Sequence, residues 1–359
     1  MANKKWNGKF SQIINMKKQP FFSIPIATYN RGVELEFAIG RILAQDFKNF
    51  ELIISDDNST DGTEKIIQKF KDERIRYYKN RVNLGAVPNI QKVLTHARGK
   101  YVLMHGDDDY LLYDNALSSS RKLILEKKLG LLRLNYLYQS SDKLDVYDFF
   151  RYKNVHKDLH LEAHKPKEAL KFIEKADLYF ISGIIFKNPY PAKIVLTDSE
   201  LIPWFKVCYH ALLGHGGYFN KNHQIIASWS YQKNNPVFFV RDGKLTFESF
   251  YEQLKEYSSE EYYKKELNRQ LEVSVLNLPT IKYNSNNRNL INYARRIIEL
   301  NAKYKVNAKF WIMLLIGYIL PKFVLKWVRA IYIARLKKMG KPNDYNQIRA
   351  RIRSLRNNL

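Results

Sequence analysis

The sequence predicts an α/β fold, a mostly parallel central sheet flanked by helices, followed by a C-terminal helical extension that associates with a membrane. Three observations carry this expectation. Short apolar, β-branched runs alternate with helical patterns through the first third of the chain, and polar clusters close each run. Beyond about residue 245 the pattern turns helical and ends strongly basic.

The first run, "FFSIPIATYN" (21–30), reads as a buried strand, and in "RGVELEFAIGRILAQDF" Val33, Phe37, Ile39, Leu43 and Ala44 keep a period near 3.6. "FELIISDDNSTDGTEKIIQKF" repeats strand, polar loop and helix, with Ser59, Thr60 and Asp61 expected to start the helix. "IRYYKN" is a third strand, "AVPNIQKVLTHA" a third helix, and "KYVLMHGDDD" a fourth strand that ends in three aspartates. Such β-α-β units build a parallel sheet whose ligand crevice lies at the carboxyl ends of its strands, where these polar clusters fall. From 116 to 230 strands and helices mix, with glycine punctuation at "SGIIF" and "LLGHGGYFN".

At 359 residues the chain suits one large core with an appendage. The expected organisation is a basic tail over 1–19, a catalytic-sized domain over 20–240 with halves at 20–115 and 116–240, and a helical region over 241–359. Cys208 is the sole cysteine, which excludes an intramolecular disulfide and argues against a thiolate zinc site. With no apolar run in the N-terminal tail suited to a signal peptide, the expected location is cytoplasmic.

Clustered hard oxygens in Asp107, Asp108 and Asp109 suit Mg²⁺ or Mn²⁺ completed by substrate phosphates; the alternative is an acidic turn capping the next helix. Asp56 and Asp57 end a strand, where carboxylates can accept hydrogen bonds from a nucleobase or ribose, although capping is the simpler role for their neighbours. Thr28, Tyr29 and Asn30 could form a stacking and hydrogen-bonding pocket beside them.

Together, "SIPIATYNRG", "FELIISDDNSTDGT" and "NLGAVPNIQKVLTHARGKYVLMHGDDD" resemble, in order and separation, the nucleotide-sugar half of the family 2 inverting glycosyltransferases, which have the GT-A fold. The resemblance covers about residues 20–115 and continues more faintly to about 235. It implies that Tyr29 flanks the donor base with Thr28 and Asn30 nearby, and that Asp57, beside Asp56, binds a uracil-type base edge. Arg74 or Arg76 would lie near the nucleotide, with Asn83 in the same set. Asp107 would serve the ribose side, and the triplet would hold Mn²⁺ or Mg²⁺ through Asp108 or Asp109. The implied activity moves a sugar from a nucleoside diphosphate, UDP foremost, to a lipid-linked or other glycan in bacterial surface-polysaccharide assembly.

Many members carry the general base in a Glu-Asp pair, which this chain lacks. Asp198 stands in the corresponding stretch and is the first candidate, Glu200 the second, though Thr197 and Glu200 also have capping-box spacing. His215 is a weaker candidate facing the acceptor. The missing pair leaves an inactive scaffold as an alternative.

From Lys303 onward fourteen Lys or Arg stand against one acid, Asp344. "FWIMLLIGYIL" is too short to span a bilayer, at about 16 Å against about 30 Å. Beyond Pro321, which should separate two helices, Lys322, Lys326, Arg329 and Lys337 share one arc while Phe323, Leu325, Trp327, Val328, Ile331 and Tyr332 spread over the rest. A basic stripe with aromatic residues over 310–338 suits an anionic membrane surface, placing the protein on the inner face of the cell membrane. Alternatives are a buried helix with a solvated neighbour, an oligomer contact, or nucleic-acid binding, for which the sequence carries no recognisable motif.

Overall fold

The computed structural model describes residues 19–139, 146–148, 150, 155–189, 204–228, 240–241, 244–245, 248, 255 and 258–357. The chain divides into two units, the first comprising Met1–Asp198, Pro203–Ser230 and Pro342–Leu359, the second Ser199–Ile202 and Tyr231–Lys341.

The first unit opens with β1 (Phe22–Thr28), α1 (Gly32–Leu43), β2 (Phe50–Asp56), α2 (Thr63–Gln68), β3 (Ile75–Lys79), α3 (Ala86–Thr95) and β4 (Tyr101–Met104). All of β2 and nearly all of β1 are buried, as expected of parallel strands covered on both faces. Leu35, Ala38, Ile39 and Ile42 give α1 its buried stripe at helical spacing. β5 (Tyr110–Leu111), α4 (Ala116–Lys127), β6 (Leu131–Gln139), β7 (Val146–Asp148), β8 (Leu159–Leu161), α5 (Pro166–Lys175), β9 (Ile184–Lys187), α6 (Phe205–His215) and β10 (Gly217–Ser228) follow.

One sheet runs in the order β3-β2-β1-β4-β9-β6-β10-β5, with β7 on β6 and β8 on β10. β1 is parallel to β2 and β4, β2 is parallel to β3, and β9 enters antiparallel between β4 and β6. Pairing of β1 with β4 stops at Ser23, short of Pro25, which has no N–H to donate. The segment after β4 meets the end of β1, where Thr28 Oγ1 donates to Asp107 Oδ2. This is the α/β architecture expected from the sequence, but the sheet is mixed rather than mostly parallel, because β5, β7, β8 and β9 of its second half all pair antiparallel.

The second unit, after the short pair β11 (Val240–Arg241) and β12 (Lys244–Leu245), contains α7 (Glu260–Leu276), α8 (Leu278–Asn284), α9 (Asn287–Leu300), α10 (Ala308–Ile319) and α11 (Lys322–Met339). Leu271, Val275, Leu278, Ile281, Leu290, Ile297 and Phe310 form its core. Pro321 separates α10 from α11, as expected.

The last helix, α12 (Tyr345–Asn357), departs from the expected boundary at residue 240, because it packs on the first unit. Ile348, Ile352 and Leu355 form one cluster with Tyr110, Leu112, Leu137 and Ile226, while Arg351 pairs with Asp114 at 2.8 Å. An apolar i, i+4, i+7 stripe inside a basic segment drives this docking.

Candidate functional site

The carboxyl ends of β1, β2 and β4 gather the acidic residues. Thr28 Oγ1 donates to Asp107 Oδ2 at 2.9 Å, which ties the β4 segment to the end of β1. Arg31, the residue before α1, reaches the same place: its Nη1 lies 3.1 Å from Asp107 Oδ1 and 2.7 Å from Asp108 Oδ2. Burial pushes the Asp107 carboxyl up to about 6, Arg31 opposes that rise, and the neighbouring Asp108 charge adds to it.

Asp56 and Asp57 work as scaffold. Asp56 Oδ1 accepts from Ser59 N at 2.8 Å, and its Oδ2 accepts from the Tyr77 hydroxyl at 2.7 Å. Asp57 accepts three bonds of 2.8 Å, from Asn80 Nδ2, Leu84 N and Gly85 N. Gly85 holds φ 87°, a conformation that favours glycine and turns its N–H toward the carboxylate. Asn30, at φ 51°, donates its N–H to Ser59 Oγ and accepts from Thr60 N, bracing the loops after β1 and β2 together. Asp61, rather than a residue at the helix cap itself, accepts from Thr63 N and from Gly32 N, so one carboxylate serves the starts of α2 and α1.

Asp109 turns away from its two neighbours. Its Oδ2 accepts from Ser182 Oγ, which in turn accepts from Gly106 N at 2.7 Å. Before it, His105 is 1% exposed; its Nδ1 donates to Gly106 O at 2.7 Å, leaving Nε2 buried with no hydrogen-bond partner. Protonating Nε2 would bury a charge, and burial lowers this imidazole to about 4. A histidine lowered in the folded state costs stability as pH falls from its unfolded value near 6.5 through about 4. Wild type is therefore expected to lose about 3 kcal/mol more than His105→Gln across that window, measured by urea unfolding at successive pH values. Equal pH slopes would contradict it.

Of the other residues singled out in the sequence, Tyr29 stands at the end of β1 with 45% of its surface exposed, open to a planar ligand. Asn83 Oδ1 accepts from Gly85 N within the loop that Asp57 holds. Arg74 and Arg76 are not brought to this edge. Arg74 forks onto Asp72, and Arg76 binds Glu51 at 2.8 Å and His96 O at 2.9 Å. Both sit toward the amino end of β3, whereas Lys79 at its other end pairs in register with Asp56. His215 accepts from Lys187 Nζ at 2.8 Å, and Lys187 is in register with Tyr101, at the end of β4 opposite the aspartates. Asp198 and Glu200 lie outside the described residues. Sequence reasoning missed Arg31, Tyr77 and Asn80; only Asn80, closing the third strand, had a positional signal.

Asp107 and Asp108 fit a divalent cation. Two carboxylate oxygens from adjacent residues already converge on one positively charged group, and Mg²⁺ or Mn²⁺ needs only one or two carboxylates alongside substrate phosphates. Asp109, engaged with Ser182, does not share that position. Among the described residues no group of three or more His, Cys, Asp or Glu has metal-holding geometry.

Residues 23–130 match the sequence profile described as Glycosyl transferase family 2. Over that segment, about 30% of its length, the chain is similar to family 2 glycosyl transferases. Among curated relatives, the Campylobacter jejuni GalNAc(5)-diNAcBac-PP-undecaprenol beta-1,3-glucosyltransferase is 44% identical over 104 residues, 28% of this chain and 33% of that protein. The Escherichia coli UDP-Glc:alpha-D-GlcNAc-diphosphoundecaprenol beta-1,3-glucosyltransferase WfaP is 42% identical over 88 residues, 24% of this chain and 35% of that protein. The chain thus spans about a third of the length of these relatives. Among solved structures, S. aureus TarS 1-349 in complex with UDP aligns with TM-score 0.49 and 17% identity, over 94% of this chain and 92% of that one. The matched segment includes Thr28, Arg31, Asp57, Asp107 and Asp108.

Proposed function

We propose that this protein is a metal-dependent inverting glycosyltransferase that moves one sugar from a nucleoside diphosphate, UDP foremost, to a hydroxyl of a lipid-linked glycan in bacterial surface-polysaccharide assembly. The observation that carries the reading is the convergence of Asp107 and Asp108 on one nitrogen of the Arg31 guanidinium at a strand edge within the segment similar to family 2 glycosyl transferases. The names of two relatives, one using UDP-Glc and both acting on undecaprenol-linked sugars, support the donor and acceptor classes.

Tyr29 flanks the base, and the loop held by Asp57 forms the wall beside it. A divalent ion held by Asp107 and Asp108, when bound, would neutralise charge on the departing diphosphate. Asp198, or failing it Glu200, takes the proton from the acceptor hydroxyl. The acceptor oxygen bonds to the anomeric carbon from one face as the carbon–oxygen bond to the diphosphate breaks on the other, which inverts that centre. Release of UDP from a UDP-sugar in the presence of Mn²⁺ and membrane extract, measured across a donor panel, tests the reading; silence for every donor would sink it.

The second unit supports work at a lipid surface. Among the described residues no helix is long and apolar enough to cross a membrane. Yet α10 and α11 leave Trp311, Ile312, Leu315, Ile319, Phe323 and Trp327 exposed, the last two at 73% and 67%. Lys322 and Lys326 are exposed beside them, a combination that suits an anionic bilayer interface. Co-sedimentation with phosphatidylglycerol-containing vesicles is expected, and Phe323→Ser with Trp327→Ser should weaken it at least tenfold. Unchanged sedimentation of the double variant would remove this face from the account.

A further inference from the structure

We propose that Arg31 is a tethered cation that occupies the divalent-ion position between Asp107 and Asp108 until a donor diphosphate draws it away, so that metal and nucleotide bind as a coupled pair. The inference rests on the metal-dependent reading above and concerns what that site does before substrate arrives.

Three features support it. A single nitrogen, Arg31 Nη1, bridges oxygens of both carboxylates, at 3.1 Å from Asp107 and 2.7 Å from Asp108, so it takes the space an ion shared by them would need. Asp107 cannot simply turn to offer another oxygen, because its Oδ2 already accepts from Thr28 Oγ1. Asp109 cannot replace it, since its carboxylate is held by Ser182.

The backbone around Arg31 is fixed while its side chain has somewhere to go. Asn30 N donates to Ser59 Oγ and Gly32 N donates to Asp61 Oδ2, which pins the residue on both sides. The side chain, 26% exposed, reaches the aspartates across the open edge. Without a cation there, two neighbouring carboxylates repel, and the guanidinium relieves that repulsion. A metal arriving alone must displace it and strip a charge-assisted contact from each acid. A diphosphate offers the displaced guanidinium anionic oxygens of the kind it leaves, so nucleotide lowers the cost of metal entry. By linkage, metal then raises nucleotide affinity by the same factor.

The test is Mn²⁺ titration of the full chain, read from the EPR signal of the free aquo ion, with and without saturating UDP, for wild type, Arg31→Gln and Arg31→Lys. Without UDP, Arg31→Gln is expected to bind Mn²⁺ about tenfold more tightly than wild type, equivalent to about 1.4 kcal/mol. UDP should tighten Mn²⁺ binding strongly in wild type and far less in Arg31→Gln, and Arg31→Lys, which keeps a tethered cation, should follow wild type. Equal or weaker Mn²⁺ binding by Arg31→Gln without UDP would overturn the proposal. If none of the three binds Mn²⁺ even with UDP, the metal reading itself falls and takes this role of Arg31 with it.

Discussion

Asp108→Asn is expected to lower kcat/KM for sugar transfer by about 10³-fold while the protein still melts within a few degrees of wild type. Asp108 is the member of the triplet whose change most cleanly separates chemistry from folding. Its neighbour Asp107 is buried and ties β1 to the β4 segment through Thr28, and Asp109 is locked to Ser182, so altering either one disturbs packing. Asp108 makes its ion pair with Arg31 at the edge of the site, and Arg31 retains Asp107 when it is lost. Steady-state kinetics with Mn²⁺, beside a thermal melt of the same preparation, reads both halves. Near-wild-type turnover in a folded variant would mean that the leaving group is stabilised by something other than this pair.

Asp57→Ala is expected to act the other way round, through the scaffold first. The carboxylate is 2% exposed and accepts three bonds, two of them from the backbone N–H groups of Leu84 and Gly85. Alanine takes away the acceptor of Leu84 N, while Gly85 N keeps Asn83 Oδ1 and Asn80 Nδ2 keeps Asn89 Oδ1, at a cost of about 2 kcal/mol, which lowers Tm by about 6 °C for a unit of this size. On the proposed reading UDP affinity is expected to fall as well, because Asp57 holds the 80–85 loop that walls the base there. Calorimetry and UDP titration on Asp57→Ala and Asp57→Asn read the two effects, with the amide variant intermediate because one oxygen survives. Unchanged melting in the alanine variant would contradict the scaffold role.

The parallel half of the fold was legible because its signals are local. Buried β-branched runs, each followed by a period near 3.6, give strands and helices, and the polar residues closing each run must then fall along one edge. The same rule could have corrected the placement of Arg74 and Arg76. Residues that open a parallel strand lie at the end opposite its ligand edge, and there both arginines found Asp72 and Glu51. Arg31 was harder to see, because a long side chain leaving the residue before a helix reaches carboxylates more than seventy residues on. The diversion of Asp109 depends on Ser182, a contact that no local pattern reports. Near the C-terminus the basic composition drew attention to lipid, while Ile348, Ile352 and Leu355 carried the plainer message that α12 returns to the first unit beside Tyr110.

The measurement that tests the central claim most directly is the thermal stability of the full chain against a panel of nucleoside diphosphate sugars, each with and without Mn²⁺, with nucleotide release followed in the same samples. The account predicts that one sugar nucleotide stabilises the wild type only when Mn²⁺ is present, and that Asp108→Asn loses this response while still folding. Stabilisation equal with and without Mn²⁺, or surviving in Asp108→Asn, would contradict a metal-assembled donor site at Asp107 and Asp108.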